Sequence, residues 1–192
     1  MAEVEKKAAR EGRTIVFVDE AAIYLLPGVV RSYAPQGHPP QLQVSVSHDH
    51  LSMMSGITPA GKVYTLVRDS PLRGVESVHF LTHLHHWVGT RLLVIWDGSP
   101  IHRGQTVTSF LEAGASQWVH LERLPPYAPE LNPDEAVWQH FKHVALANVS
   151  CPNFEVLGRE LHLAVMRLRS KPQLIKSFFQ GAGLKIVTIQ TP

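Results

Sequence analysis

The sequence predicts an α/β fold in which a mixed sheet is covered by helices. Three observations carry this. The first third has short β-rich runs joined by short links, as in an antiparallel meander. From residue 75 the apolar period changes to that of a helix, and apolar strand-like runs then alternate with helical ones. A meander followed by βα alternation gives a sheet with both strand directions. No internal repeat or low-complexity segment interrupts this order.

The elements follow in turn. Residues 1–13 read as a short, polar, frayed helix, a terminal extension to the domain. Residues 14–19 (TIVFVD) are a β-rich run, with residues 23–27 continuing it after a kink. Pro35, Gly37, Pro39 and Pro40 make residues 28–40 a loop. Residues 42–47 (LQVSVS) alternate apolar and polar, the period of a half-buried strand. Residues 51–57 and 63–67 flank Pro59-Ala60-Gly61-Lys62, a hairpin turn. Val75, Val78, Leu81, Leu84 and Val88 recur at helical spacing, and residues 91–96 (RLLVIW) form a strand buried on both faces. A short helix over 105–113 and a strand over 118–121 precede a proline-rich loop at 125–133. Helices are expected over 133–148, along the stripe Phe154, Leu157, Leu161, Val165 and Leu168, and over 173–180, stopped by Gly181.

At 192 residues the chain suits one domain with a proper core, and 44% apolar with 18% charged residues is a globular composition. No apolar stretch approaches the ~20 residues that span a bilayer. The N-terminus lacks an apolar signal core, and Cys151 is the single cysteine, so the expected location is a reducing cytoplasm. The net charge of +2 hides an asymmetry. Residues 156–192 hold six basic side chains against Glu160, and the remainder carries net −3. Such a basic tail suits a polyanionic partner.

Three acids stand where an acid is costly or conspicuous: Asp19 ends an apolar strand, Asp97 ends RLLVIW, and Glu135 opens a helix. Each has an ordinary structural explanation. Asp19 suits a solvated strand end, Asp97 a turn in Asp-Gly-Ser-Pro, and Glu135 a capping box begun by Asn132. Together they suggest one divalent-metal site. If the strands ending at Asp19 and Asp97 are neighbours, their backbones lie about 4.8 Å apart, and two carboxylates at that spacing repel unless a cation lies between them. Oxygen ligands of this kind suit Mg²⁺. His79, His83 and His86 share a helix face, but without an HExxH pattern that face reads as helix surface rather than a metal site. Trp87, Trp96, Trp118 and Trp138 read as core anchors.

The motifs FVDE (Phe17–Glu20), WDGSPIH (Trp96–His102) and LPPYAPELNPDEAVW (Leu124–Trp138) resemble those of DDE transposases of the Tc/mariner superfamily, specifically the insertion-sequence 630 type. YAPQG at Tyr33 and SFFQGAGL at Ser177 add to the resemblance, which covers residues 14–184 and leaves 185–192 as a tail. Thirty-seven residues separate Asp97 from Glu135, slightly more than is usual in that family, and Gly98 stands where it commonly has asparagine.

The resemblance implies an RNase H-like domain with a mixed five-stranded sheet, in which Asp19, Asp97 and Glu135 are catalytic and hold two Mg²⁺ or Mn²⁺ ions. It prefers Asp19 to Glu20, which faces the other side of the strand, and Glu135 to Asp134. His102 and Asn132 are expected beside these ligands. Arg103, Lys142, Arg167, Arg169, Lys171 and Lys176 are the candidates for DNA contact. The implied activity is strand cleavage at transposon ends and strand transfer into target DNA. The implied partners are a helix-turn-helix domain or subunit encoded elsewhere and a second copy of the chain on DNA. An RNase H-like structure-selective nuclease and a non-catalytic DNA-binding remnant fit the same residues less well.

Overall fold

The computed structural model describes residues 2–38, 41–42, 48–125 and 128–184. Among these, five strands form one sheet: β1 (Arg13–Tyr24), β2 (His50–Ile57), β3 (Val63–Arg68), β4 (Arg91–Trp96) and β5 (Val119–Arg123). Their order is β3-β2-β1-β4-β5. β1, β2 and β3 are antiparallel, whereas β4 and β5 run parallel to β1, which makes the mixed sheet expected from the change of period. Seven α-helices flank it: α1 (Ala2–Glu11), α2 (Gly74–Val88), α3 (Pro100–Arg103), α4 (Gln105–Glu112), α5 (Glu135–His140), α6 (Phe154–Arg169) and α7 (Pro172–Gly181). None of the described helices is long and apolar enough to cross a membrane.

Strand alternation sorts the core into two layers. Phe17, Ile57 and Ile95 face one side, where Trp138 and Phe141 of the α5 region, Leu161 and Val165 of α6, and Phe179 of α7 cover them. Val16, Val18, Met54, Val94 and Trp96 face the other, under Phe80, Leu81 and Leu84 of α2 and Val107 of α4. Asp19 therefore shares the first face with Phe17, and Glu20 shares the second with Val18.

Local chemistry sets the ends. Gly89 closes α2 in the left-handed region at φ 73°, its N–H donating to His85 O. Asn153 caps α6 by accepting from the Val156 N–H at 2.9 Å. Gly61 turns the β2–β3 hairpin at φ 85°, and a Cβ there would lie 2.6 Å from Pro172 O.

Several expectations need correction. β1 does not kink after Asp19 but runs unbroken to Tyr24, because β2 pairs with it through Tyr24↔His50. Asp19 is thus inside a strand, although beyond the Phe17↔Ile95 end of the β1–β4 ladder. The helix expected over 133–148 is shorter: α5 passes at Phe141–Ala145 into a π turn, in which the Leu146 N–H reaches Phe141 O at 2.9 Å. The helix at the N-terminus is docked: Ala8 is buried, Val4 packs on the core, and Lys7 Nζ lies 2.6 Å from Glu122 Oε1 of β5. Residues 43–47 of the expected alternating strand, and the tail 185–192, fall outside the described residues.

Candidate active site

β1 and β4 are parallel neighbours in register Phe17↔Ile95. Two residues further along each chain come Asp19 and Asp97, so both acids lie just past the ladder at the carboxyl end of β4, where the Asp97 carboxylate turns to His102. Open α/β sheets hold their ligands at such ends.

Asp19 is 8% exposed. Its Oδ2 accepts from the Trp138 indole N–H at 3.0 Å, and its Oδ1 accepts from the Glu20 N–H at 2.9 Å. Burial raises its pKa to about 7; the charge of Glu135 adds to the rise, and the Trp138 bond opposes it. Glu135 is therefore near enough for its charge to be felt by Asp19.

Glu135 opens α5, but the expected capping box is absent: Asp134 is the N-cap and makes no side-chain cap hydrogen bond. Asn132 accepts from the Asp134 N–H at 3.2 Å, whereas the Asn132 N–H donates to Pro129 O. Asn132, 5% exposed, thus fixes the start of the helix rather than touching the acids, and Glu135 is not needed to cap. Asp134 is fully buried: the Ser55 hydroxyl donates to its Oδ1 at 2.8 Å, and Oδ2 is buried without a hydrogen-bond partner among the described residues. Burial, followed by the charge of Asp19, raises its pKa well above the usual carboxyl range.

Asp97 sits on a turn with its side chain 52% exposed, its Oδ1 accepting from the Ser99 N–H at 2.9 Å. His102 of α3, 2% exposed at its side chain, places Nδ1 3.0 Å from the same oxygen and Nε2 3.1 Å from Glu20 Oε2. The Nε2–Oε2 contact is close but poorly aligned for a hydrogen bond, and neither atom has another partner among the described residues. The imidazole stacks on Trp96 at 4.0 Å with an interplanar angle of 1°. Burial disfavours its protonation, but Glu20 and Asp97 outweigh this and hold its pKa above the usual value.

Glu20, Asp97 and His102 offer ligand atoms within 4.8 Å of one another, and among the described residues no other such group of three or more is found. Asp19, Asp97 and Glu135 are brought to one end of the sheet but do not converge to that distance. His79, His83 and His86 do not either; His83 instead stacks on Phe80 and lies tilted against Trp87. Sequence reasoning passed over Glu20, whose signal was its place beside Asp19 in FVDE. It also passed over Arg123, whose Cδ would lie 3.5 Å from a Cβ at Gly98.

The candidate DNA contacts are scattered. Arg103 ends α3, Lys142 lies in the π turn, and Arg167, Arg169, Lys171 and Lys176 occupy α6, α7 and their junction, all exposed except the half-buried Lys176. Arg169 is partly committed, its Nε donating to Val63 O at 3.4 Å.

Residues 14–157 match the family of DDE superfamily endonucleases. The chain belongs to that family. Several solved structures share the fold of this DDE domain. The Mos1 mariner paired-end complex with Mn superposes with TM-score 0.63 at 17% identity, covering 93% of this chain and 59% of that one. The Mos1 paired-end complex with the left transposon end gives 0.60 at 17%, covering 96% and 61%. The catalytic domain of Mos1 mariner transposase gives 0.55 at 15%, covering 96% and 92%. The DDE chain thus spans about three fifths of the longer Mos1 chains and nearly all of the separate catalytic domain, whose RNase H-like fold it shares. Comparison with curated protein sequences gives no match.

Proposed function

We propose that this chain is the catalytic domain of a Tc/mariner-type transposase of the insertion-sequence 630 group, cleaving DNA at transposon ends and joining it to target DNA. The catalytic unit is residues 14–184, with 1–13 and 185–192 flanking it. Asp19, Asp97 and Glu135 are the ligands of Mg²⁺ or Mn²⁺, two ions in all. The observation that carries this is the pairing of β1 with β4, which brings Asp19 and Asp97 to the same end of the sheet, together with the charge of Glu135 acting on Asp19. Crowded acids with a raised carboxyl pKa are a fit for divalent cations, which relieve that repulsion. The Mos1 structures that share the fold include complexes with Mn and with Mg, which supports the same choice.

When bound, the ions would activate water and neutralise charge at the scissile phosphate. The chain's own residues prepare the ligands. Trp138 orients Asp19, and Asn132 fixes the start of α5 so that Glu135 projects from its first turn. Ser55 holds the buried Asp134 behind them. Hydrolysis breaks a phosphodiester and leaves a 3′-hydroxyl, which then attacks a target phosphodiester and expels its 3′-oxygen. The partners are transposon-end and target DNA, a helix-turn-helix domain or subunit, and a second copy of the chain. The test is cleavage of labelled transposon-end duplexes with Mg²⁺ or Mn²⁺. Metal-dependent nicking lost in each of Asp19→Asn, Asp97→Asn and Glu135→Gln supports the reading; RNA–DNA hybrid cleavage without activity on duplex ends would replace it with a nuclease.

A further inference from the structure

We propose that Glu20 is a positioning residue, which holds the Asp97 carboxylate in place through His102 from the opposite face of the sheet. This rests on the reading of Asp97 as a metal ligand. Asp97 needs such help more than its companions do. It follows the last residue of β4 and its side chain is half exposed, whereas Asp19 lies within a strand and is held by Trp138. A carboxylate on a solvated turn samples several rotamers, and ordering it on binding costs free energy.

The restraint is a chain of contacts. Asp97 Oδ1 meets His102 Nδ1 at 3.0 Å, and His102 Nε2 meets Glu20 Oε2 at 3.1 Å. Trp96 fixes the plane of the ring by stacking at 4.0 Å. Glu20 itself is rigidly mounted, because it lies inside β1 opposite Met54 of β2. The short helix α3 follows the Asp97 turn directly and carries His102 back onto the sheet. The two carboxylates meet opposite nitrogens of one ring, so the imidazole bridges them. An imidazole that lies between the two carboxylates, and whose Nδ1 also meets the Asp97 backbone O at 3.5 Å, biases Asp97 toward one orientation before any ion arrives. Partners of this kind, one step behind a metal ligand, typically change metal affinity about 10–100-fold when removed.

The test compares Glu20→Ala with Glu20→Gln, whose amide oxygen can still accept from Nε2. Mn²⁺ binding followed by electron paramagnetic resonance should weaken about tenfold or more in Glu20→Ala, with most of the affinity restored in Glu20→Gln. Imidazole ¹⁵N shifts of His102 in the metal-free protein should move in Glu20→Ala and stay near wild type in Glu20→Gln. Unmoved shifts in Glu20→Ala, or equal loss of affinity in both variants, overturn the proposal. The two readings separate cleanly: wild-type protein that binds no Mn²⁺ defeats the metal assignment, while the His102 shifts still decide whether Glu20 holds the bridge. If Glu20→Ala does not fold, Glu20→Asp, which withdraws the carboxylate by one methylene, takes its place.

Discussion

The Trp138 indole N–H donates to Asp19 Oδ2 at 3.0 Å across 119 residues of sequence, tying the helix that carries Glu135 to the strand that carries Asp19. This bond stabilises the ionised form of a carboxyl that burial pushes the other way. Trp138→Phe keeps an aromatic ring against Phe141 and removes the donor. Asp19 should then ionise at still higher pH, and Mn²⁺ binding, which competes with that proton, should shift to higher pH. A buried ionised acceptor without its partner costs about 1–3 kcal/mol, so the variant should lose stability mainly above neutrality. Coincident pH profiles of Mn²⁺ affinity for wild type and Trp138→Phe would show that the bond does not tune Asp19.

Asp19 and Asp97 should separate by stability although the proposed mechanism uses both. Asp19→Asn removes a buried carboxyl whose pKa is raised from 3.8 to about 7, so the metal-free variant should be more stable than wild type at pH 8, by about 2–4 kcal/mol. Asp97→Asn replaces a half-exposed side chain and should change stability by no more than about 0.5 kcal/mol. Thermal melts in chelator check both. An Asp19→Asn protein less stable than wild type at pH 8 would mean that Asp19 is not held against its own charge.

The same shifts fix the sign of the pH dependence. Asp19 is protonated in both folded and unfolded chains below about pH 3.8, ionises first in the unfolded chain as pH rises, and in the folded chain only near 7. Its contribution to stability is therefore fully present below 3.8, falls between 3.8 and about 7, and then levels off. Buried Asp134 acts in the same direction. The raised pKa of His102 gives stability that is present below 6.5 and lost as pH climbs through its folded value. The metal-free protein should thus lose stability from pH 5 to 8, and saturating Mn²⁺ should restore it at the upper end. A metal-free melting temperature that rises across this range contradicts the assignment.

Much of the sheet was legible because its strands carry their own period: RLLVIW is buried from Leu92 to Trp96 as its unbroken apolar run demands. Strand alternation alone also separates the face of Asp19 from that of Glu20. What failed depended on distant partners. Nothing local says that β1 continues past Asp19; its pairing with β2 does so. Nor does residue spacing show that Glu20, on the face away from Asp19, meets His102 where it stacks on Trp96. The π turn at Phe141 was hidden for the same reason, because the segment it packs against lies at Gly28 and Val30.

Asn148 gives a test of that distant contact. It adopts φ 58°, and its side chain pairs with the Val30 backbone as a strand would, accepting from N–H at 3.0 Å and donating to the carbonyl at 3.1 Å. A Cβ at Gly28 would lie 2.5 Å from Lys142 O, so the two segments are closely fitted. Asn148→Gly loses the two bonds but keeps the backbone conformation at little cost, whereas Asn148→Ala also bears left-handed strain of about 1–2 kcal/mol. Alanine should therefore be the more destabilising of the two in urea unfolding. The reverse order would place the energy elsewhere than in the backbone of Asn148.

DNA binding by this chain should be weak, salt-sensitive and nearly indifferent to sequence. Its candidate phosphate contacts, Arg103, Lys142, Arg167, Lys171 and Lys176, are spread over several elements, a pattern suited to phosphate contact rather than to base readout. Affinity from counterion release gives dissociation constants of about 10⁻⁴–10⁻⁶ M at physiological salt. Each residue that meets a phosphate should, when changed to alanine, reduce the slope of log affinity against log salt by about 0.9. Arg169 should behave differently: its bond to Val63 O makes Arg169→Ala a change in stability more than in salt slope. Titrations of transposon-end and scrambled duplexes at several salt concentrations read both quantities. Tight binding selective for the end sequence would put the recognition surface within residues 1–192 and remove the need for a helix-turn-helix partner.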